Sequence, residues 1–114
     1  MRTSRFLAIY IINISHDPDS PRPALVMQLV EPDNDFKMLE ITHQNPINRD
    51  NHQKYYYPIK EWQQANLDKR SWIYVKKGVE VPTKIITSRM PIGKLSSLDQ
   101  TGLFKFMVKN NLNF

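Results

Sequence analysis

Three apolar runs follow one another in the first 42 residues, "FLAIYIINI", "ALVMQLV" and "FKMLEIT", and each is closed by a stretch that regular structure does not cross easily. "SHDPDSPRP" separates the first two and "EPDND" the next two. Asp, Asn and Ser side chains bond the nearby backbone, and Pro fixes φ and lacks a donor, so such stretches turn or loop. Short runs rich in Ile, Val, Phe and Tyr between breakers of this kind read as strands. They commit the chain to a mainly β fold before any other feature is weighed.

Residues 6 to 14 and 24 to 30 are predicted to be strands buried on both faces. Residues 36 to 42 alternate in part, so Leu39 and Ile41 should point one way and Met38, Glu40 and Thr42 the other. "HQNPINRDNHQK" is an exposed loop, and "YYYPI" is extended, with Pro58 marking an edge or a strand end. "KEWQQANL" is expected to form a short helix that carries Trp62 and Leu67 inward. "SWIYVKK" at 71 to 77 is another strand, and a further short one lies around Val79 to Val81.

The last element is a helix in "SSLDQTGLFKFMVKNN". Ser97 with Gln100 fits a capping box, Leu98 and Asp99 open the first turn, and Gly102 weakens the helix slightly. Leu103, Phe106, Met107 and Asn110 share one face. Short strands followed by one helix, with no repeat and no low-complexity tract, predict an α+β chain that is mainly β. The expected shape is a single small, partly open barrel spanning residues 1 to 114, with a C-terminal helix and one short inserted helix.

Composition narrows the chemistry. The net charge of +5 favours an anionic partner such as nucleic acid, phosphate or an acidic polypeptide. The absence of cysteine excludes disulfides, thiolate zinc sites and a cysteine nucleophile. His16, His43 and His52 lack the close helical spacing of common zinc motifs, so neither a metal nor another cofactor is expected. Arg2 and Arg5 before "FLAIYIINI" loosely resemble a signal peptide, but the apolar run is short and Asn13 interrupts it. No run is long enough for a membrane-spanning helix, and a cytoplasmic protein is expected.

In "SPRPALVMQLV", Arg22 stands between Pro21 and Pro23 at the mouth of a strand. An Arg at a loop end is ordinarily a solvated surface residue. Here the prolines restrict the backbone on both sides, which lowers the cost of ordering the side chain around an anion.

Four stretches in order resemble the MazF/PemK toxin family. "AIYIINISHDPDSPRPALVMQL" is similar to the family's opening strand, polar loop and Arg-Pro pair running into a Val/Leu-rich strand. "EITHQN" is similar to its strand ending in Thr or Ser beside the active site, and "IKEWQQANLDKRSWIYV" to a Trp, short helix, Leu and Ser-opened strand in one branch. "VPTKIITSRMPIGKLSSLDQTGLFKFM" is similar to the closing "GKLS" pattern. The chain departs from the family in three places, the first being a loop before Arg22 that is shorter than usual. It has "RFLA" where many members carry Gly-Asp or Gly-Glu, and "WIYVKK" where some carry Arg and Asp.

The resemblance implies an SH3-like, PemK-like barrel. It also implies the toxin of a type II toxin–antitoxin pair, a metal-independent, sequence-selective endoribonuclease that cuts single-stranded mRNA by 2′-hydroxyl attack and so blocks translation and growth. A homodimer and a cognate acidic antitoxin are the implied partners. Arg22 would grip phosphate and Thr42 would hydrogen-bond a phosphate oxygen. His16 is a candidate acid or base in the loop before Arg22. His43 is a second candidate, although on a regular strand it faces away from Thr42. His43, Gln44, Lys76, Lys77, Arg49 and Lys54 are candidate RNA contacts, the last two alongside the "YYY" run. Two other readings stay open: a catalytically inactive nucleic-acid-binding barrel of the same fold, and a protein-directed toxin of the gyrase-poison type.

Overall fold

The computed structural model describes residues 7–12, 22–30, 35–43, 54–87 and 90–111. In chain order they form β1 (Ala8–Ile12), β2 (Arg22–Val30), β3 (Asp35–Thr42), β4 (Tyr56–Pro58), β5 (Trp72–Tyr74), β6 (Val79–Val81), α1 (Thr83–Thr87), β7 (Gly93–Lys94) and α2 (Ser97–Lys109). The seven strands make one antiparallel sheet in the order β4-β5-β3-β2-β1-β7, with β6 pairing β3 off that path, and it curls into a half-barrel.

The alternation legible in β3 sorts the core into two layers. Leu39 and Ile41 join Ile9, Leu25 and Ile73 on one face, under Leu103 and Met107 of α2. Met38 joins Tyr10, Ala24 and Val26 on the other, covered by Ile86 of α1. The β2–β3 register shifts between Val26 and Gln28, a bulge that leaves Met27 as the extra residue and sets it in the α2 layer.

Three elements depart from expectation. Residues 60–66 are turns instead of a regular helix. The Ala65 N–H donates to the Glu61 carbonyl at 3.2 Å, and the positive φ of Asn66 (66°) then ends the coil. The short inserted helix is α1, at 83–87, directly after Pro82, a residue that favours the first turn of a helix. The "GK" of "GKLS" is a strand, β7, whose Gly93 lies against backbone. A Cβ there would stand 2.0 Å from the Ala65 carbonyl oxygen.

The N-cap of α2 is Ser96, not Ser97. Ser96 Oγ accepts the Asp99 N–H at 3.3 Å, so the box is Ser96 with Asp99. Gln100 instead donates its side-chain amide to the Leu95 carbonyl at 2.7 Å. Asp99 is fully buried, and its carboxylate also ties the helix to a distant segment. It accepts the Tyr57 hydroxyl at 2.7 Å, the Lys60 N–H at 2.9 Å and the Glu61 N–H at 2.8 Å. One carboxylate thus completes the start of α2 and caps the first free N–H groups of the 60–66 turns.

Burial, followed by the hydrogen bond and charge of Asp99, pushes the Tyr57 phenol well above its ordinary value of 10.0. The unfolded chain therefore loses this proton first as pH rises, so stability falls above about pH 10. Urea midpoints at pH 9 and pH 11 should show that drop, and Tyr57→Phe should flatten it.

Gly102 makes this contact possible, because a Cβ at that position would lie 2.3 Å from Tyr57 Oη. Gly102→Ala should therefore destabilise the protein by about 1–3 kcal/mol through overpacking, although Ala is the better helix former. Much of the loss should vanish in a Tyr57→Phe background, read as coupling in a double-mutant cycle of urea melts.

Candidate nucleic-acid interface

β2 and β3 bring together two residues that the sequence separates by a long loop. Ala24 stands opposite Glu40 and Leu25 opposite Leu39. The paired stretch ends at Ala24 and Glu40, and Arg22 and Thr42 each lie two residues beyond it. Arg22 itself pairs with Ile12 of β1, and Thr42 pairs on its other side with Trp72 of β5.

His43 follows Thr42, is exposed, and turns to the other face. It lines a cleft of about 180 Å³ with Pro23, Ile41, Leu67, Asp68, Lys69 and Ser71. Thr42 and His43 therefore occupy opposite faces at one corner of the sheet, as strand parity predicts. His16, Gln44 and Arg49 lie outside the described residues, as does the side chain of Arg22.

The face of β5 turned away from α2 carries a strip of aromatic and cationic side chains. The Arg70 guanidinium lies 5.6 Å from the Trp72 ring centroid. Next along the strand, Tyr74 pairs with Tyr56 of β4, their ring centroids 5.0 Å apart and tilted by 41°. Beyond them the Lys76 and Lys54 ammonium groups stand 4.8 and 5.1 Å from the Tyr55 centroid. Lys77 is exposed beside Lys76. Burial chiefly, then the neighbouring Tyr56, Tyr55 and Glu40, raises the Tyr74 phenol above its ordinary value.

The "YYY" run thus divides. Tyr57 belongs to the core, edge-on to Phe106 at 5.6 Å, while Tyr55 and Tyr56 are half-exposed on the strip. Lys54 and Lys76, expected as RNA contacts, lie on this strip, and Arg70 and the buried Trp72, which the sequence does not single out as contacts, stand at its other end. The adjacent "RSW" offered the only local signal for that pair.

Cations interleaved with aromatic rings are the arrangement that single-stranded nucleic acid uses, with phosphates tracked by charge and bases by π-faces. Among the described residues no three His, Asp or Glu side chains gather to hold a metal, and no helix is long and apolar enough to cross a membrane. Compared with models of known families and with curated proteins, the chain matches none.

Proposed function

We propose that this protein is a metal-independent endoribonuclease of the MazF/PemK type, acting as the toxin of a type II toxin–antitoxin pair on single-stranded mRNA. The observation that carries this reading is the pairing of β2 with β3 as far as Ala24 and Glu40, which leaves Arg22 and Thr42 each two residues beyond it on neighbouring strands, with Thr42 paired to Trp72 at the start of the β5 strip. A phosphate at that corner would meet a permanent guanidinium, able to hold two of its oxygens, and the Thr42 hydroxyl.

In the reaction, the ribose 2′-oxygen bonds to phosphorus and the bond to the 5′-oxygen breaks. A base takes the 2′ proton and an acid returns one to the 5′-oxygen, leaving 2′,3′-cyclic phosphate and 5′-hydroxyl ends. His16 and His43 are the candidates for these proton transfers, since imidazole titrates near neutrality. Arg22 stabilises the charge on the pentavalent phosphorus. The protein works as a homodimer, and its acidic antitoxin is drawn by the basic balance of the chain.

A second reading is favoured by one observation: His43, the residue after β3, lines a cleft with Ile41 that Thr42 does not line. A barrel that binds RNA without cleaving it needs the strip but not the complete proton-transfer set. Incubating the protein with a long single-stranded RNA in EDTA and mapping the ends decides between them. New 5′-hydroxyl ends at a recurring sequence support the nuclease. Retention of intact RNA supports the binder, and neither cleavage nor binding overturns both.

A further inference from the structure

We propose that Lys54 and Lys76, gathered on the ring of Tyr55, form a seat for one backbone phosphodiester of single-stranded RNA, and that Tyr55 is its positioning residue. This rests on the RNA reading above and adds a defined second contact to it. Lys76 follows Trp72 by four residues, two of them beyond the end of β5, or roughly 13 Å of extended chain, so the seat would hold a phosphate other than the one at the Arg22–Thr42 corner.

The backbone brings the two lysines together. The Val75 N–H donates to the Tyr55 carbonyl at 2.8 Å. Lys54 precedes one member of that pair and Lys76 follows the other. Both ammonium groups then fall on the same ring, which holds them within roughly 10 Å of one another.

That separation is an upper bound, and wherever the two like charges come closer than the screening length of about 8 Å they repel. The negative face of the ring offsets part of the repulsion. Among the described residues neither ammonium is matched by a carboxylate, and both lysines are exposed. An anion bridging the two would offset the remainder. A phosphodiester supplies a single charge spread over two oxygens, one for each lysine. Lys77, exposed next to Lys76, adds to the same field.

The test is the salt dependence of binding to a fluorescent 2′-O-methyl oligoribonucleotide, which keeps the backbone but blocks 2′-hydroxyl attack. For single strands each phosphate contact contributes about 0.7 to the slope of log K against log salt. Lys54→Gln/Lys76→Gln should therefore flatten the slope by about 0.7, the share of one phosphate, and weaken binding several-fold at low salt. Tyr55→Phe should bind like the wild type. Tyr55→Leu, which changes no charge, should also flatten the slope and weaken binding several-fold.

Lys105→Gln/Lys109→Gln, on exposed positions of α2, removes the same charge elsewhere and should leave the slope nearly unchanged. If the Lys54/Lys76 pair changes the slope no more than this control pair, the seat is wrong while the RNA reading stands. If the wild type does not bind the oligonucleotide at low salt, the RNA reading falls and the seat with it. Should Tyr55→Leu fail to fold, the two lysine pairs and Tyr55→Phe still decide.

Discussion

Asp99→Ala is expected to lower the unfolding free energy by about 3 kcal/mol or more, because a buried hydroxyl and two backbone donors lose their acceptor together. The carboxylate receives Tyr57 Oη, the Lys60 N–H and the Glu61 N–H, all within 2.9 Å, and its side chain is fully buried. Alanine leaves a void where the carboxylate stood and strands the Tyr57 hydroxyl in the core. The 60–66 turns also lose the group that satisfies their first N–H donors. A domain of this size has a total stability of only about 5–15 kcal/mol, so the loss should lower the melting temperature by roughly 10 °C or more.

Asp99→Asn keeps the volume and one acceptor but turns a donor toward donors, so it should fall between wild type and alanine. Urea and thermal melts of the three proteins measure this directly. An alanine variant within 1 kcal/mol of wild type would mean that the network contributes far less than its geometry implies.

Arg22→Ala is expected to slow RNA cleavage by about 100- to 1,000-fold, the loss typical when one charge-stabilising donor leaves an active site. The substitution lies at the first residue of β2, where the backbone pairs with Ile12, and melting temperatures of the variants check that the fold is kept. Arg22→Lys should recover part of the rate, since an ammonium keeps the charge but not the two-pronged grip. Initial rates of 5′-hydroxyl end formation in EDTA, at equal folded protein, test the series. Cleavage at the wild-type rate in Arg22→Ala would remove this residue from the mechanism.

Much of the fold was legible because strands and helices mark themselves locally. The parity of Leu39 and Ile41 against Met38 assigned the two core layers correctly, and Leu103 and Met107 face inward as their spacing requires. Local signals also explain the errors. Ser96 and Ser97 are each followed three residues later by a capping partner, Asp99 or Gln100, so the sequence offers two equivalent boxes. The burial of Asp99 and its bonds to residues 57, 60 and 61 select one of them. Likewise "KEWQQANL" has the composition of a helix, but the positive φ of Asn66 and the seating of Gly93 against Ala65 end it after a single turn.

The candidate site follows the same division. Arg22 between two prolines and Thr42 at a strand end were visible as residue types suited to phosphate, and Lys54 and Lys76 as cations near tyrosines. Their association was not visible, because sheet register and cross-strand ring contacts join residues 20 or more positions apart, and no short window of sequence contains both partners.

The sequence by itself therefore determined the β-rich class, the alternation of the core, the C-terminal helix and the basic charge, all of which follow from side-chain chemistry at short range. Only the tertiary structure decided which serine caps α2, that Tyr57 belongs to the core while Tyr55 gathers two lysines, and that Arg22 pairs with Ile12 and Thr42 with Trp72. Each of these depends on strand register and on the burial of partners distant in the chain, where the energy of a contact is set by what packing excludes from water.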